Sequence, residues 1–274
     1  MTTAKSEKEL AFLHDLFIST DWGERFSELI DEHLEIPGEG KALYLAAGTG
    51  GHAIAVQERT GDKLHLICVD ESAECLELAR AKATATNDKT EFHQATLEQL
   101  PFPNDHFDLV IGDASLVSRE RVAKIFAEMV RVAAAGARVA LTLPTASSFG
   151  EFFSIYWEAL HNTGLAGLES GVEHLITELP TIGDAEQMAI DEGLEEVESW
   201  SRIEEFDYES GEQFLSSPLV ADFLMNHWLA SIPEVSRIEV AREISRLINE
   251  ERHEAEFALT VKATLVVGRK ALSH

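Results

Sequence analysis

The segment LYLAAGTGGHA, Leu43 to Ala53, constrains the fold more than any other stretch of the chain. A short apolar run enters a turn with glycines at 48, 50 and 51, and a helix-compatible run comes next. Glycine lacks a Cβ, so the backbone can turn tightly and a ligand can approach it. The helix that begins near Gly51 then aims free N–H groups at that ligand. Asp70 lies 20 residues beyond Gly50, at the end of the next apolar run, KLHLICVD. An acid so placed can accept hydrogen bonds from both hydroxyls of a ribose. Strand, turn, helix, strand and terminal acid together point to an adenosine-type ligand.

The alternation continues through TEFHQAT, FDLVIGDAS and ARVALTLP, read as strands. SAECLELARAKATAT, with Ser72 as its cap, and RERVAKIFAEMVRVAAA, ended by Gly136, are read as helices. Strands alternating with helices of this length imply right-handed crossovers and a mostly parallel, doubly wound α/β sheet. Past Pro144 the rhythm changes to an aromatic helix, a second helix, the strand EEVESWSRIEEFDY, two helical stretches and a final alternating strand. The helical stretches place an insertion at about 210–253 before that last strand.

Lys and Arg number 22 against 49 Asp and Glu, a formal charge of −27. That surface repels phosphate backbones and anionic lipid, so neither nucleic acid nor a membrane is an expected partner. The 45% hydrophobic content supports a sizeable core. No apolar run approaches the roughly 20 residues of a membrane span, and MTTAKSEKEL has no signal-peptide core, so a cytoplasmic location is expected. Cys68 and Cys75 read as buried reduced thiols. The histidines are scattered without HExxH or CxxC spacing, and no metal site is expected.

Read from Gly48, GTGGHA also satisfies the dinucleotide pattern G-x-G-x-x-G/A, which leaves a nicotinamide-dependent oxidoreductase as a competing reading. The segments beyond the turn separate the two. ATLEQLPFPNDHFDLVIGDASL and then EMVRVAAAGARVALTLP resemble the class I S-adenosylmethionine-dependent methyltransferases, in particular the small-molecule branch that includes the quinone-biosynthesis C-methyltransferases. The resemblance covers Lys41 to Pro144 and extends loosely to FALTVKATLVVGRK. It implies a Rossmann-like seven-stranded sheet with an antiparallel last strand and added helices, with residues 1–38 as an N-terminal helical lid and 39–274 as the methyltransferase-like domain.

The resemblance further implies S-adenosyl-L-methionine as cofactor and a small, partly apolar methyl acceptor. Gly48, Thr49 and Gly50 would form the turn beneath the methionine part, with Ala46 close by. Asp70 would hold the ribose hydroxyls with Glu71 beside it. Thr96 and Leu97 would lie along the adenine edge, Leu97 offering its N–H. Asp113 would sit under the methionyl group near the methyl donor.

Three positions depart from the family's pattern: Tyr44 stands in place of an acid, Ala46 in place of a glycine and Thr96 in place of an acid. The first acid of the family helps order the turn and engages the cofactor's ammonium group. Ala46 is expected to keep a negative φ. Asp113 or an N-terminal acid such as Asp21 is a candidate to compensate. The same departures support a non-catalytic binding protein with the methyltransferase fold as an alternative. Asp113, Tyr156 and His161 are the candidates for acid–base work, the last two from the aromatic helix FFSIYWEALH. His52 reads as a surface histidine and His93 as a strand residue. The apolar faces of the C-terminal helices could serve a cap over the substrate or a homodimer.

Overall fold

Ser6 opens the first helix with a capping box: its Oγ accepts from the Glu9 N–H at 3.3 Å, and its own N–H donates to Glu9 Oε2 at 2.8 Å. From there a computed structural model describes residues 5–251 and 256–272. Positions 252 and 253 of the expected insertion, and Ala255 of the last expected strand, lie outside the described residues. Helix α1 (Glu7–Leu13) runs through a π-helical stretch (His14–Gly23) into α2 (Glu24–His33). The alternating part continues as β1 (Gly40–Leu45), α3 (Gly51–Thr60), β2 (Leu64–Asp70), α4 (Ala73–Thr86), β3 (Glu91–Gln94), β4 (Phe107–Asp113), α5 (Arg119–Val132) and β5 (Ala133–Pro144). Then come α6 (Gly150–Asn162), α7 (Glu169–Glu178), α8 (Ile182–Asp191), β6 (Leu194–Tyr208), α9 (Gly211–Ser216), α10 (Met225–Trp228), α11 (Glu234–Glu251) and β7 (Phe257–Lys270).

The seven strands form one sheet in the order β3-β2-β1-β4-β5-β7-β6. The first five pair in parallel, with Leu45 opposite Val69 and Gly112, and Asp113 opposite Thr142. Strand β7 runs the other way: Lys270 Nζ reaches the Ala133 carbonyl at 2.8 Å, while the Thr145 N–H donates to the Lys262 carbonyl at 3.1 Å. This is the doubly wound, mostly parallel sheet with an antiparallel last strand that the sequence predicts.

One boundary differs. The alanine-rich run before Gly136 reads as helix, yet α5 stops at Val132 and β5 has begun at Ala133. Phe107 pairs with Ala133 but Leu109 with Arg138, so extra residues bulge out of β5, and Gly136 takes φ 82° there. Helix α7, which carries only two buried apolar residues, Val172 and Leu175, has no counterpart in the sequence reading.

The chain divides into two compact units. The first comprises residues up to Leu143, Ile182–Ser201 and Thr264 onward. Its core joins Leu43 and Leu45 of β1, Val69 of β2, Val110 of β4, Leu141 of β5, and the α5 face of Val122, Ile125, Phe126 and Met129. That face recurs at helical spacing, which is why the helix lies flat on the strands. Helix α8 adds Ala185 and Ala189 to it.

The second unit, Pro144–Thr181 with Arg202–Ala263, is held by aromatic packing. Phe152 stacks on Trp228 with centroids 4.1 Å apart and on Tyr156 at 5.7 Å, and Phe214 meets Phe257 edge-on at 5.2 Å. Gly211, at the start of α9, lies against the backbone of Ser245 in α11, where an added Cβ would overlap the Ser245 carbonyl. Gly211→Ala therefore overpacks a backbone contact and is expected to lower stability by about 1–3 kcal/mol. Urea unfolding checks this, and an unchanged midpoint contradicts the packing described.

Candidate cofactor site

The carboxyl ends of β2, β1 and β4 are neighbours, and each delivers a side chain from the motifs singled out above. The turn after β1 leaves the strand at Ala46 and reaches α3 through Gly48 at φ 53° and Gly50 at φ 76°. Asp70, at the end of β2, closes it from the side: the Gly48 N–H donates to Asp70 Oδ2 at 2.8 Å. The other carboxylate oxygen accepts from the Ser72 N–H at 2.9 Å, just before Ser72 caps α4 by accepting from the Cys75 N–H at 3.2 Å. Each carboxylate oxygen has a second acceptor direction, so two such bonds leave Asp70 able to take hydroxyl donors.

Ala46 overturns one expectation. Its φ is +52°, in the left-handed region, not negative. The turn needs that conformation whichever residue occupies it, and the alanine methyl makes it costly. Asp21, the N-terminal acid named above, pairs with Arg25 at 3.0 Å. The acid that meets the turn is Asp15, which pairs with Lys82 of α4 at 2.6 Å and is hydrogen-bonded by Thr49. Burial works to raise the Asp15 pKa, but the bonds from Lys82 and Thr49 prevail and hold it below the ordinary value.

The N-terminal helices thus grip the turn. Ser19 Oγ lies 3.1 Å from Thr49 Oγ1, and the imidazole of His14 rests on Gly48, where an added Cβ would sit 2.5 Å from its Cε1. Burial pushes the His14 pKa down, against the opposing pull of Asp70 and Asp113. His14 is a site residue that the sequence reading missed. Its contact with Gly48 spans 34 positions, and nothing in the spacing of the N-terminal apolar residues marks it.

Asp113 ends β4 with Oδ1 accepting from the Ser115 N–H at 2.9 Å and from Thr142 Oγ1 at 3.2 Å. Burial raises its pKa, moderated by those bonds and by His14. On the β3 side, Leu97 is buried and its N–H reaches Glu71 Oε1 at 3.4 Å, while Thr96 is exposed. Arg121 of α5 ties the two edges together, contacting Glu71 at 2.7 Å and Glu98 at 2.5 Å.

Tyr44 and His52 form the second unforeseen feature. Tyr44 is buried, and its hydroxyl lies 2.9 Å from His52 Nδ1. His52 Nε2 in turn lies 3.0 Å from Asp31 Oδ1 on α2, and Arg59 donates to the same oxygen at 2.6 Å. His52 is therefore not a plain surface residue; both ring nitrogens are engaged. His93 is exposed on β3 and faces Glu91 at 3.3 Å. Tyr156 and His161 belong to the second unit: Tyr156 is fully buried among the aromatic rings, with its phenol pKa raised by burial, and His161 is exposed near the end of α6.

Cys68 and Cys75 are free and buried, as expected. Among the described residues no helix is long and apolar enough to cross a membrane.

The geometry can be set beside known proteins. Residues 42–136, the segment that builds the turn, Asp70, Leu97 and Asp113, match the family described as "Methyltransferase domain". A ubiquinone/menaquinone biosynthesis C-methyltransferase, UbiE, of Geotalea daltonii is 30% identical over 122 residues, 43% of this chain and 51% of that protein. The chain spans about half the length of the curated relatives it matches. Among solved structures, the YcgJ protein of Bacillus subtilis superposes with a TM-score of 0.58 at 19% identity, covering 91% of this chain and all of that one. Phosphoethanolamine N-methyltransferase 2 of Haemonchus contortus, solved with S-adenosyl-L-methionine, gives 0.57 at 14% identity, covering 98% and 60%. These two likenesses are of fold.

Two outcomes test the site's internal structure. Ala46→Gly relieves the left-handed strain and is expected to stabilise the chain by about 1 kcal/mol in chemical unfolding, where a loss of stability would contradict the turn geometry. The hydrogen bond from Arg121 holds Glu98 at about 2, well below the usual carboxylate range. Its contribution is complete above the unfolded value and is lost as the pH falls through about 2. Thermal melts from pH 5 to pH 2 are expected to fall more steeply for the natural chain than for Arg121→Gln. Parallel slopes would contradict the pairing.

Proposed function

We propose that this chain, whose residues 42–136 match the methyltransferase domain family, is a class I S-adenosylmethionine-dependent methyltransferase that transfers a methyl group from S-adenosyl-L-methionine to a small, partly apolar molecule. The observation that carries the reading is that the matched segment, 42–136, contains the turn whose Gly48 N–H is held by Asp70, with Leu97 following β3 and Asp113 ending β4. The donor set suits this cofactor. Asp70 has acceptor capacity left for ribose hydroxyls, the Leu97 N–H makes only a long bond of 3.4 Å to Glu71, and the first N–H groups of α3 have no intrahelical partner and no side-chain cap at Gly50. Gly48, free of a Cβ, is covered by the His14 imidazole, so a group approaching this backbone takes the place of that ring.

When bound, the cofactor supplies an electrophilic sulfonium methyl. The protein's own work is to bind, orient and exclude water. His14 lies on Gly48, so a ligand there displaces the imidazole. Of the expected lid 1–38, the described part from residue 5 then acts over that ligand, released and re-seated through the Asp15–Lys82 and Ser19–Thr49 contacts. Asp113, with its pKa raised, is the candidate to hold a proton if the acceptor arrives protonated.

The quinone-biosynthesis relatives favour a carbon acceptor on a partly apolar ring for this chain. A homodimer through the C-terminal helices belongs to the same reading, supported by the exposure of Val235 and Ile238 on α11.

Calorimetric titration with S-adenosylmethionine and S-adenosylhomocysteine is expected to show micromolar Kd values, roughly −8 kcal/mol, with NAD not binding. Asp70→Ala is expected to weaken both by tenfold or more. Absence of binding at millimolar ligand would replace the enzyme by a non-catalytic protein of the same fold.

A further inference from the structure

Tyr44 stands at the carboxyl end of β1, Asp113 at that of β4 and Asp70 at that of β2, and the sheet order there is β3-β2-β1-β4. This inference rests on the cofactor reading above. With the ribose on Asp70 and adenine toward Leu97 beyond β3, the methionine arm must extend the opposite way, over β1 and β4. The polar side chains at those two ends are Tyr44 and Asp113, and they lie close enough that the Asp113 charge acts on the Tyr44 phenol, adding to the effect of burial.

The methionine arm ends in an ammonium group, which needs acceptors. A phenol can donate or accept, and its neighbours decide which. Asp31 is a carboxylate, whose pKa is held down by hydrogen bonds from His52 and Arg59 that outweigh burial. An ionised carboxylate only accepts, so the His52 nitrogen facing it, Nε2, carries the hydrogen. In the neutral ring Nδ1 is then bare and accepts from the Tyr44 hydroxyl 2.9 Å away. With its proton committed to His52, the Tyr44 oxygen offers only lone pairs to anything else.

We infer that Asp31, His52 and Tyr44 form an oriented hydrogen-bond relay that makes the Tyr44 oxygen an acceptor for the ammonium group of the cofactor's methionine arm. Tyr44 is the binding residue; His52 and Asp31 are positioning residues that act through it. The relay does without charge the work expected of an acid at position 44. It also makes that work depend on α2, because Asp31 belongs to the N-terminal helices that grip the turn.

The test compares two ligands that share the adenosine end. S-adenosylhomocysteine carries the amino-acid arm, and 5′-methylthioadenosine lacks it. Both are titrated calorimetrically into the full chain and into Tyr44→Phe and Asp31→Asn. Tyr44→Phe removes the acceptor and keeps the ring. Asp31→Asn can donate to Nε2, which moves the ring hydrogen to Nδ1 and turns the Tyr44 proton outward. Both variants are expected to bind S-adenosylhomocysteine about tenfold more weakly and to bind 5′-methylthioadenosine within twofold of the natural chain. A merely structural relay would lower both affinities together, and that result, or no loss for S-adenosylhomocysteine, overturns the inference. Failure of both ligands to bind the natural chain would instead remove the cofactor reading and the relay's role with it. Circular dichroism melts of each variant separate a folding defect from a binding one. If Tyr44→Phe unfolds, the Asp31→Asn ratio of the two affinities decides alone.

Discussion

The hydrogen bond from the Gly48 N–H to Asp70 Oδ2 is the contact on which the site's geometry depends. It joins the turn after β1 to the end of β2, two strands that are already paired along their length. Once it is made, Gly48 and Gly50 can hold left-handed conformations and α3 starts where it does. The same carboxylate also takes the Ser72 N–H and so sets the start of α4. A single acid thereby fixes the entry to two helices and keeps acceptor capacity for a ligand. Buried polar groups of this kind are worth most when every member is satisfied.

Around that contact the charges are closely matched. The chain is strongly acidic, yet the acids nearest the turn each have a partner: Asp15 has Lys82, Asp31 has Arg59 and His52, and Glu71 and Glu98 share Arg121. Asp70 and Asp113 differ in kind: amide donors face the first, hydroxyl and amide donors face the second, and burial raises the Asp113 pKa.

Much of the fold was legible because apolar periodicity and turn chemistry agree along residues 40–144. Strands β1, β2 and β4 show as short apolar runs, and Ser72 marks a helix start that the structure repeats. The boundary at Ala133 was not legible. An alanine run favours helix locally, and only the pairing of Phe107 with Ala133 across β4 turns it into strand. The φ of Ala46 was hidden for a similar reason: the turn imposes it on a residue that would not choose it alone. The backbone parts of the site were visible, since a glycine and a strand-end acid announce themselves by spacing. The parts made of side chains meeting across distant segments were not. His14 on Gly48, and Tyr44 with His52 and Asp31, exist only once the His14–Gly23 stretch meets the turn and α2 meets α3.

Amide hydrogen exchange with and without saturating S-adenosylhomocysteine tests the central claim most directly, namely that an adenosine cofactor lies across the carboxyl ends of β2, β1 and β4. The account predicts slower exchange at residues 46–52, 70–72, 96–98 and 113–115, together with the N-terminal segment around His14 that must re-seat over the ligand. Protection confined to other parts of the chain, or no change at all at saturation, would contradict it.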